Sequence, residues 1–299
     1  MTVSGTPCTQ CPRRCAIPRE DGVRGYCGAP WELRIARAAL HPWEEPCISG
    51  SRGSGTVFFS GCNLRCVFCQ NREVSHELLG QSVTPKELED ILLRLQEEGA
   101  HNVNLVTPTP YVLQLIPVLE RVKPRLSIPI LYNTGGYESA DTLRLLEGLV
   151  DIYLPDFKYL DPALARTYSD APDYPEVAQS ALAEMLRQCP HPSFDGDGLL
   201  QTGVVLRHLV LPGQRRDSIR LLRMLAERFG NDAFLLSLMN QYTPEFAMHT
   251  PYPDLHRRLT TFEYESVCRE ADSLGFRGYT QSRDAATSGY TPNFHEKTF

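Results

Sequence analysis

Long apolar runs are absent from this 299-residue chain, and none approaches the ~20 residues that a membrane-spanning helix needs. Met1 to Arg14 lacks the apolar core of a secretory leader. There is no basic excess: 30 Lys and Arg stand against 36 Asp and Glu, a net charge of −6. Phosphate recognition needs a positive face, so this balance argues against nucleic acid as an obligatory partner, although a local basic patch remains compatible with it. No internal repeat and no low-complexity tract is present, which excludes solenoids and disordered tails of biased composition. Cysteine is scarce beyond residue 69, where only Cys189 and Cys268 occur. These absences leave a globular chain, expected in the cytoplasm with no membrane partner. Its 42% hydrophobic and 22% charged content suits a substantial core.

The other eight cysteines crowd between Cys8 and Cys69. In a reducing compartment such cysteines are metal ligands or buried thiols more often than disulfides. Residues 7–30, rich in Cys, Pro, Gly and Arg, show neither helical nor strand period. A segment of that kind buries too little apolar surface to hold its shape, so a metal is expected to staple it. Cys8, Cys11, Cys15 and Cys27 give C-x2-C-x3-C-x11-C. Four thiolates fit either zinc or a second [4Fe–4S] cluster, and spacing does not separate the two. Zinc would be structural and a cluster could relay electrons, with Arg13, Arg14 and Arg24 offsetting thiolate charge in both cases. Residues 31–55 read as a mixed connector ending in a Gly/Ser-rich turn.

From Thr56 the pattern becomes regular. A strand over Thr56–Ser60 runs into the Gly61-Cys62 turn. Thr84 and Glu87 form a capping box for a helix over Pro85–Gln96, which Gly99 ends. Strand Asn102–Val106 precedes helix Tyr111–Val122. Strand Ile128–Tyr132 precedes helix Ala140–Gly148, and strand Asp151–Leu154 precedes a helical region over Glu176–Arg187. Strand Gly203–Leu211 precedes helix Ser218–Phe229. Strand Ala233–Leu238, helix Tyr264–Leu274 and a short strand near Gly278–Gln281 complete the chain. Six βα units predict a parallel sheet covered by helices, and two units too few for a closed eight-stranded barrel. The expectation is an α/β fold, a partial (β/α)6 TIM-like barrel over residues 51–285. A small cysteine-rich metal-binding segment and connector over 1–50 precedes it, and a tail over 286–299 follows. Ligands then belong at the carboxyl ends of the strands.

The chemistry centres on Gly61-Cys62-Asn63-Leu64-Arg65-Cys66-Val67-Phe68-Cys69. The spacing C-x3-C-x2-C sits on a tight loop after the first strand and can aim three thiolates at three corners of an iron–sulfur cube. No fourth cysteine lies in the local motif, so one iron would stay open, as in sites that do chemistry. A zinc knuckle or buried thiols is the alternative, though zinc usually completes four ligands locally.

This motif resembles the radical S-adenosylmethionine superfamily. Further stretches resemble the PflX-like relatives of pyruvate formate-lyase activating enzyme: Trp43-Glu44-Glu45-Pro46, Gly53–Thr56, Gly99–Asn102, Leu131–Thr134, Tyr153–Tyr159, Arg207–Gly213 and Ser237–Tyr242. The resemblance implies a [4Fe–4S] cluster on Cys62, Cys66 and Cys69 and S-adenosylmethionine bound at the open iron. One-electron cleavage then gives a 5′-deoxyadenosyl radical. A reductant such as flavodoxin or ferredoxin is implied, and a glycyl-radical enzyme is the implied protein substrate. Another peptide, a small molecule, or a non-catalytic metal-stapled electron carrier are the competing readings.

By the same resemblance Phe68 lies near the adenine. Thr107 and Thr109 stand where relatives often carry Gly-Gly-Glu. Lacking that carboxylate, the chain would offer backbone carbonyls or these hydroxyls, unless Thr109 merely caps a helix. Asn133 and Thr134 resemble a ribose- or carboxylate-binding stretch, with a Gly-rich turn as the plainer reading. Asp156 and Lys158 match an Asp-x-Lys pair. Lys158 would meet the cofactor carboxylate, and the alternative is a surface ion pair. Neighbouring strand residues face opposite sides, so one of Arg207 and His208 points inward, and the resemblance selects Arg207. Asn240 and Gln241 are candidates for adenine or substrate contact, or for capping. Cys47 reads as a buried thiol unless it faces the active site.

Overall fold

The structure is a computed structural model that describes residues 7–282, 285 and 292–296. Among these residues ten strands form one sheet system: β1 (Arg34–His41), β2 (Ser54–Phe59), β3 (Gln81–Ser82), β4 (Val103–Val106), β5 (Ile130–Thr134), β6 (Ile152–Pro155), β7 (Ser193–Phe194), β8 (Leu200–Leu209), β9 (Leu235–Met239) and β10 (Gly278–Thr280). The helices are α1 (Pro46–Ser49), α2 (Arg72–Ser75), α3 (Pro85–Glu97), α4 (Val112–Val122), α5 (Ala140–Arg144), α6 (Pro162–Ser169), α7 (Tyr174–Gln188), α8 (Arg215–Phe229) and α9 (Thr261–Ser273).

The main path through the sheet is β10-β9-β8-β6-β5-β4-β2-β1-β3, with β7 paired to β8. From β2 to β10 neighbouring strands on this path run parallel, whereas β1 pairs antiparallel with β2 and with β3. The ends β10 and β3 do not meet along this order, as a partial barrel requires. Strands β2, β4, β5 and β6 are buried throughout, because helices cover their outer face while the inner face lines the barrel.

Helix α3 begins on the capping box read from the sequence, with Thr84 accepting from the Glu87 backbone and Glu87 accepting in return. Helix α4 buries Val112, Leu115, Val118, Leu119 and Val122. Each such side chain contributes about 2 kcal/mol of apolar burial.

Two expectations needed correction. The region read as a connector contains β1, an eight-residue strand whose Ala- and Arg-rich sequence carries little strand propensity of its own. Its pairing with β2, from Ile35 opposite Phe59 to His41 opposite Ser54, decides its conformation and ties residues 34–59 into one hairpin. The helix expected over Ala140–Gly148 is α-helical only to Arg144 and then continues as turns. Of the expected tail over 286–299, only residues 292–296 lie within the described residues. Phe294 among them packs on Phe58 with ring centroids 5.2 Å apart.

Gly136, after β5, holds two strands' ends together. Its φ is +81°, and a Cβ there would lie 2.1 Å from the Asp156 carbonyl oxygen. Gly136→Ala is therefore expected to push β5 and β6 apart and lower the thermal midpoint by several degrees; an unchanged midpoint would contradict this packing.

Candidate active site at the carboxyl ends of the strands

The three cysteines of the loop line one cavity of about 230 Å³. That loop has no helix or strand of its own, so neighbours set its shape. Gly61 N–H donates to the Val74 carbonyl, Val67 N–H to the Tyr168 carbonyl, and Asn63 Nδ2 to the Tyr137 carbonyl at 2.7 Å. Each sulfur has one donor group beside it. Leu64 N–H is 3.5 Å from Cys62 Sγ, Ser169 Oγ donates to Cys66 Sγ at 3.0 Å, and Ser75 Oγ is 3.3 Å from Cys69 Sγ. Burial, with the charge of Cys66 adding to it, pushes the Cys62 thiol up to about 12 and raises Cys69 as well. A metal that binds them must displace protons.

The residues present fit a cluster. Three cysteines line the cavity, and no fourth lines it among the described residues. Nor do any three His, Cys, Asp or Glu side chains among those residues gather at the spacing of a single metal ion. A tetrahedral zinc would draw its sulfurs to about 4 Å from one another. A cube with iron at its corners holds its cysteines farther apart.

Below the loop the cavity is lined by a chain of charges from β1–α1, β6 and β8. Arg207 Nε donates to Asp156 Oδ1 at 2.9 Å, Nη2 to Asn133 Oδ1 at 2.6 Å, and Nη1 lies 3.3 Å from Glu44 Oε2. Lys158 Nζ donates to Asp156 Oδ2 at 2.6 Å. Glu44 Oε1 accepts from Asn104 Nδ2 at 2.8 Å and Asn133 Nδ2 at 3.3 Å. Burial would raise the Asp156 carboxyl, but Arg207 and Lys158 overcome it and hold the group below its ordinary value. Burial opposes the charge on Lys158 too, and Asp156 more than compensates, so the ammonium is retained. Burial outweighs Arg207 at Glu44, whose carboxyl is raised. Asp156 and Arg207 are also joined through an isolated parallel bridge between their backbones.

Of the residues expected at the site, Cys62, Cys66, Phe68, Cys69, Thr107, Asn133, Thr134, Asp156, Lys158 and Arg207 all line this cavity. Phe68 meets Tyr168 and Tyr242 edge-on, with centroids 6.4 and 6.1 Å apart. Thr107 has φ +56°, a strained conformation for a β-branched residue. His208 lies on the other side of β8, with Nδ1 2.7 Å from the Phe157 carbonyl and Nε2 2.9 Å from Ser218 Oγ. Two expected residues stand elsewhere. Thr109 is buried away from this cavity, and its hydroxyl donates to Glu138. Asn240 is buried and does not line the cavity, and its backbone N–H donates to Gln281, while its neighbour Gln241 stands on the cavity wall. Cys47 is a buried thiol packed with Leu131, Ile152 and Leu154.

Residue-level reading missed Ser75, Ser169 and Glu138 and gave Glu44 no individual role. Nothing in the sequence around Ser169 signals that the end of α6 reaches the loop. Glu138 takes the hydroxyls of Thr109 and Thr134, and Tyr132 OH lies 3.4 Å from it. It spends its oxygens inside the protein and does not line the cavity.

The four N-terminal cysteines also converge. Cys8, Cys11, Cys15 and Cys27 line a second, smaller cavity together with Arg13, Arg19 and Asn63.

A family model described as the radical SAM superfamily matches residues 56–225. An uncharacterized protein of Methanocaldococcus jannaschii, MJ0674, is 29% identical over 275 residues, spanning 89% of this chain and 74% of its own length. The chain resembles the fold of a radical SAM methyltransferase from Sphaerobacter thermophilus, with TM-score 0.51 and 15% identity over 79% of this chain and 70% of that one. It also aligns with methylornithine synthase at TM-score 0.49 and 18% identity, covering 71% of this chain and 60% of the synthase, less than two thirds of its length.

Burial raises the Glu138 carboxyl from 4.5 to about 7 against the hydroxyl donors around it. The folded state thus holds a proton that the unfolded chain has already lost. The stabilisation is complete below the unfolded value and fades as pH rises through about 7, by up to about 3 kcal/mol. The thermal midpoint is expected to fall between about pH 4.5 and 7.5 in the wild type and to stay nearly flat in Glu138→Gln. Parallel profiles would show that Glu138 is not the titrating group.

Proposed function

Because the chain belongs to the radical SAM superfamily, we propose that its main cavity cleaves S-adenosylmethionine reductively and directs the resulting radical at a hydrogen of a substrate seated beside it. The [4Fe–4S] cluster that membership implies supplies, when bound, the single electron that splits the sulfonium into methionine and a 5′-deoxyadenosyl radical. The observation that carries this reading is the convergence of exactly three cysteines and a charged floor on one cavity.

The chain's own residues have separable tasks. Cys62, Cys66 and Cys69 would hold the cluster, and the donors at Leu64, Ser169 and Ser75 beside their sulfurs would tune it. Lys158, fixed by Asp156, would meet the carboxylate of the methionine end. Phe68 and Tyr242 offer apolar walls for the adenine. Arg207 is held by Asp156, Asn133 and Glu44, so it arrives already oriented toward the cavity. Such preorganisation avoids reorganisation at the moment of reaction. Leu64, Phe68 and Tyr242 exclude water from the cluster side.

The substrate is read as a backbone glycine of a partner protein. The Asp156-x-Lys158 pair, which resembles that of the activating enzymes, supports this, as do Tyr153–Tyr159 and Arg207–Gly213, which resemble those of their PflX-like relatives. So does the mouth of the cavity, where Trp43 stands 56% exposed and can receive an extended chain. A flavodoxin- or ferredoxin-type protein is the proposed electron donor.

Anaerobically loaded and reduced wild-type protein is expected to release 5′-deoxyadenosine from S-adenosylmethionine. Cys66→Ala is expected to lose the cluster and all of this product. Fully loaded protein that forms none would refute the radical reading and leave an electron carrier. An electron-spin signal of a glycyl radical on a co-incubated partner would select the glycine substrate, whereas isotope transfer from a small molecule would replace it.

A further inference from the structure

The four N-terminal cysteines lie before Thr56, outside the stretch matched by the family. They are nevertheless built against the cysteine loop that the family describes. A Cβ on Gly61 would sit 2.9 Å from the Cys27 carbonyl oxygen, so Cys27 packs directly on the residue preceding Cys62. Asn63, peptide-bonded to Cys62, lines the four-cysteine cavity alongside Cys11. Arg13 Nε donates to the Asn63 carbonyl at 2.8 Å. Tyr26 OH lies 3.4 Å from the Leu64 carbonyl.

The cavity is also prepared for an anionic occupant. Arg19 lines it, is 2% exposed, and approaches Cys8 Sγ at 4.0 Å through Nη1. Its Nε is buried with no hydrogen-bond partner. A buried guanidinium N–H without an acceptor is costly, and sulfide or thiolate in the cavity would satisfy it. A zinc tetrathiolate would bring its sulfurs within about 4 Å of one another.

We infer that Cys8, Cys11, Cys15 and Cys27 hold a second [4Fe–4S] cluster, and that this cluster is the electron relay into the cluster on Cys62, Cys66 and Cys69. The inference rests on the radical reading of the main cavity. One electron passes from a reduced low-potential flavin or iron–sulfur protein to the N-terminal centre, taking its core from 2+ to 1+. The same electron moves on past Cys11, Asn63 and Cys62, which returns the first centre to 2+ and reduces the second. No bond forms or breaks, and no proton moves. Asn63 is a positioning residue that keeps the two sets of sulfurs in register.

The test uses the full chain prepared anaerobically. Cys62→Ala/Cys66→Ala/Cys69→Ala is expected to retain about four iron and four sulfide per chain and, once reduced, the electron-spin signal of a [4Fe–4S]1+ centre. One zinc per chain with no iron would overturn the inference. In the wild type reduced at both centres, the spectrum is expected to be broadened by spin–spin coupling between neighbouring clusters; a plain sum of two isolated spectra would overturn the relay. Cys11→Ser is the kinetic test. With a reduced ferredoxin-type donor, 5′-deoxyadenosine formation is expected to fall at least about tenfold further than it falls with dithionite. Equal loss or no loss with both reductants would overturn the relay. No product from the wild type with dithionite would instead be a failure of the radical reading itself. The spin coupling needs no variant, so it remains decisive should Cys11→Ser fold poorly.

Discussion

The loop from Gly61 to Cys69 must hold three thiols at one cavity while having no regular structure of its own. Everything around it is arranged as a brace. The N-terminal segment presses on Gly61 and Asn63, α2 receives the Gly61 N–H at Val74, and the end of α6 supplies Tyr168 and Ser169. The β5–α5 loop adds the Tyr137 carbonyl. A loop held from four directions loses its conformational entropy on folding rather than on loading the metal, so the site is formed in advance.

Beneath this loop the protein tolerates a group of buried charges that would be costly one at a time. Asp156 accepts from both Arg207 and Lys158, and Arg207 reaches Glu44 and Asn133 as well. Buried ions are retained when each has a partner, and removing one strands the others. The arrangement contributes orientation more than stability. Glu138 plays the corresponding part on the neighbouring strands, gathering the Thr109 and Thr134 hydroxyls and so withdrawing them from the cavity.

Much of this was legible in the residues alone, and unevenly so. The repeated βα pattern and the capping box at Thr84 follow from periodicity and local chemistry, which act over a few residues, whereas strand alternation left Arg207 and His208 open and only the family resemblance chose between them. β1 was hidden because Ala and Arg state no preference, and only the edge of β2 makes them a strand. Asn240 and Thr109 sit within a residue or two of the right place, but the twist at a strand's end decides which neighbour faces inward, and that is a matter of packing. Ser169 and Ser75 left no trace in the sequence, since any serine has the same local pattern whether or not a sulfur lies across from it.

The sequence by itself determined the candidate ligands: three cysteines at fixed spacing, four more upstream, and a parallel barrel beside them, because spacing and hydrophobic period are local properties of the chain. Only the tertiary structure decided that the two cysteine sets are neighbours. Residues 8–27 and 61–69 are separated by more than thirty positions, and nothing short of the folded hairpin of β1 and β2 and its loops fixes their distance. The same is true of the ion network under the loop, whose members come from three strand ends and gain their meaning from burial that no single segment can encode.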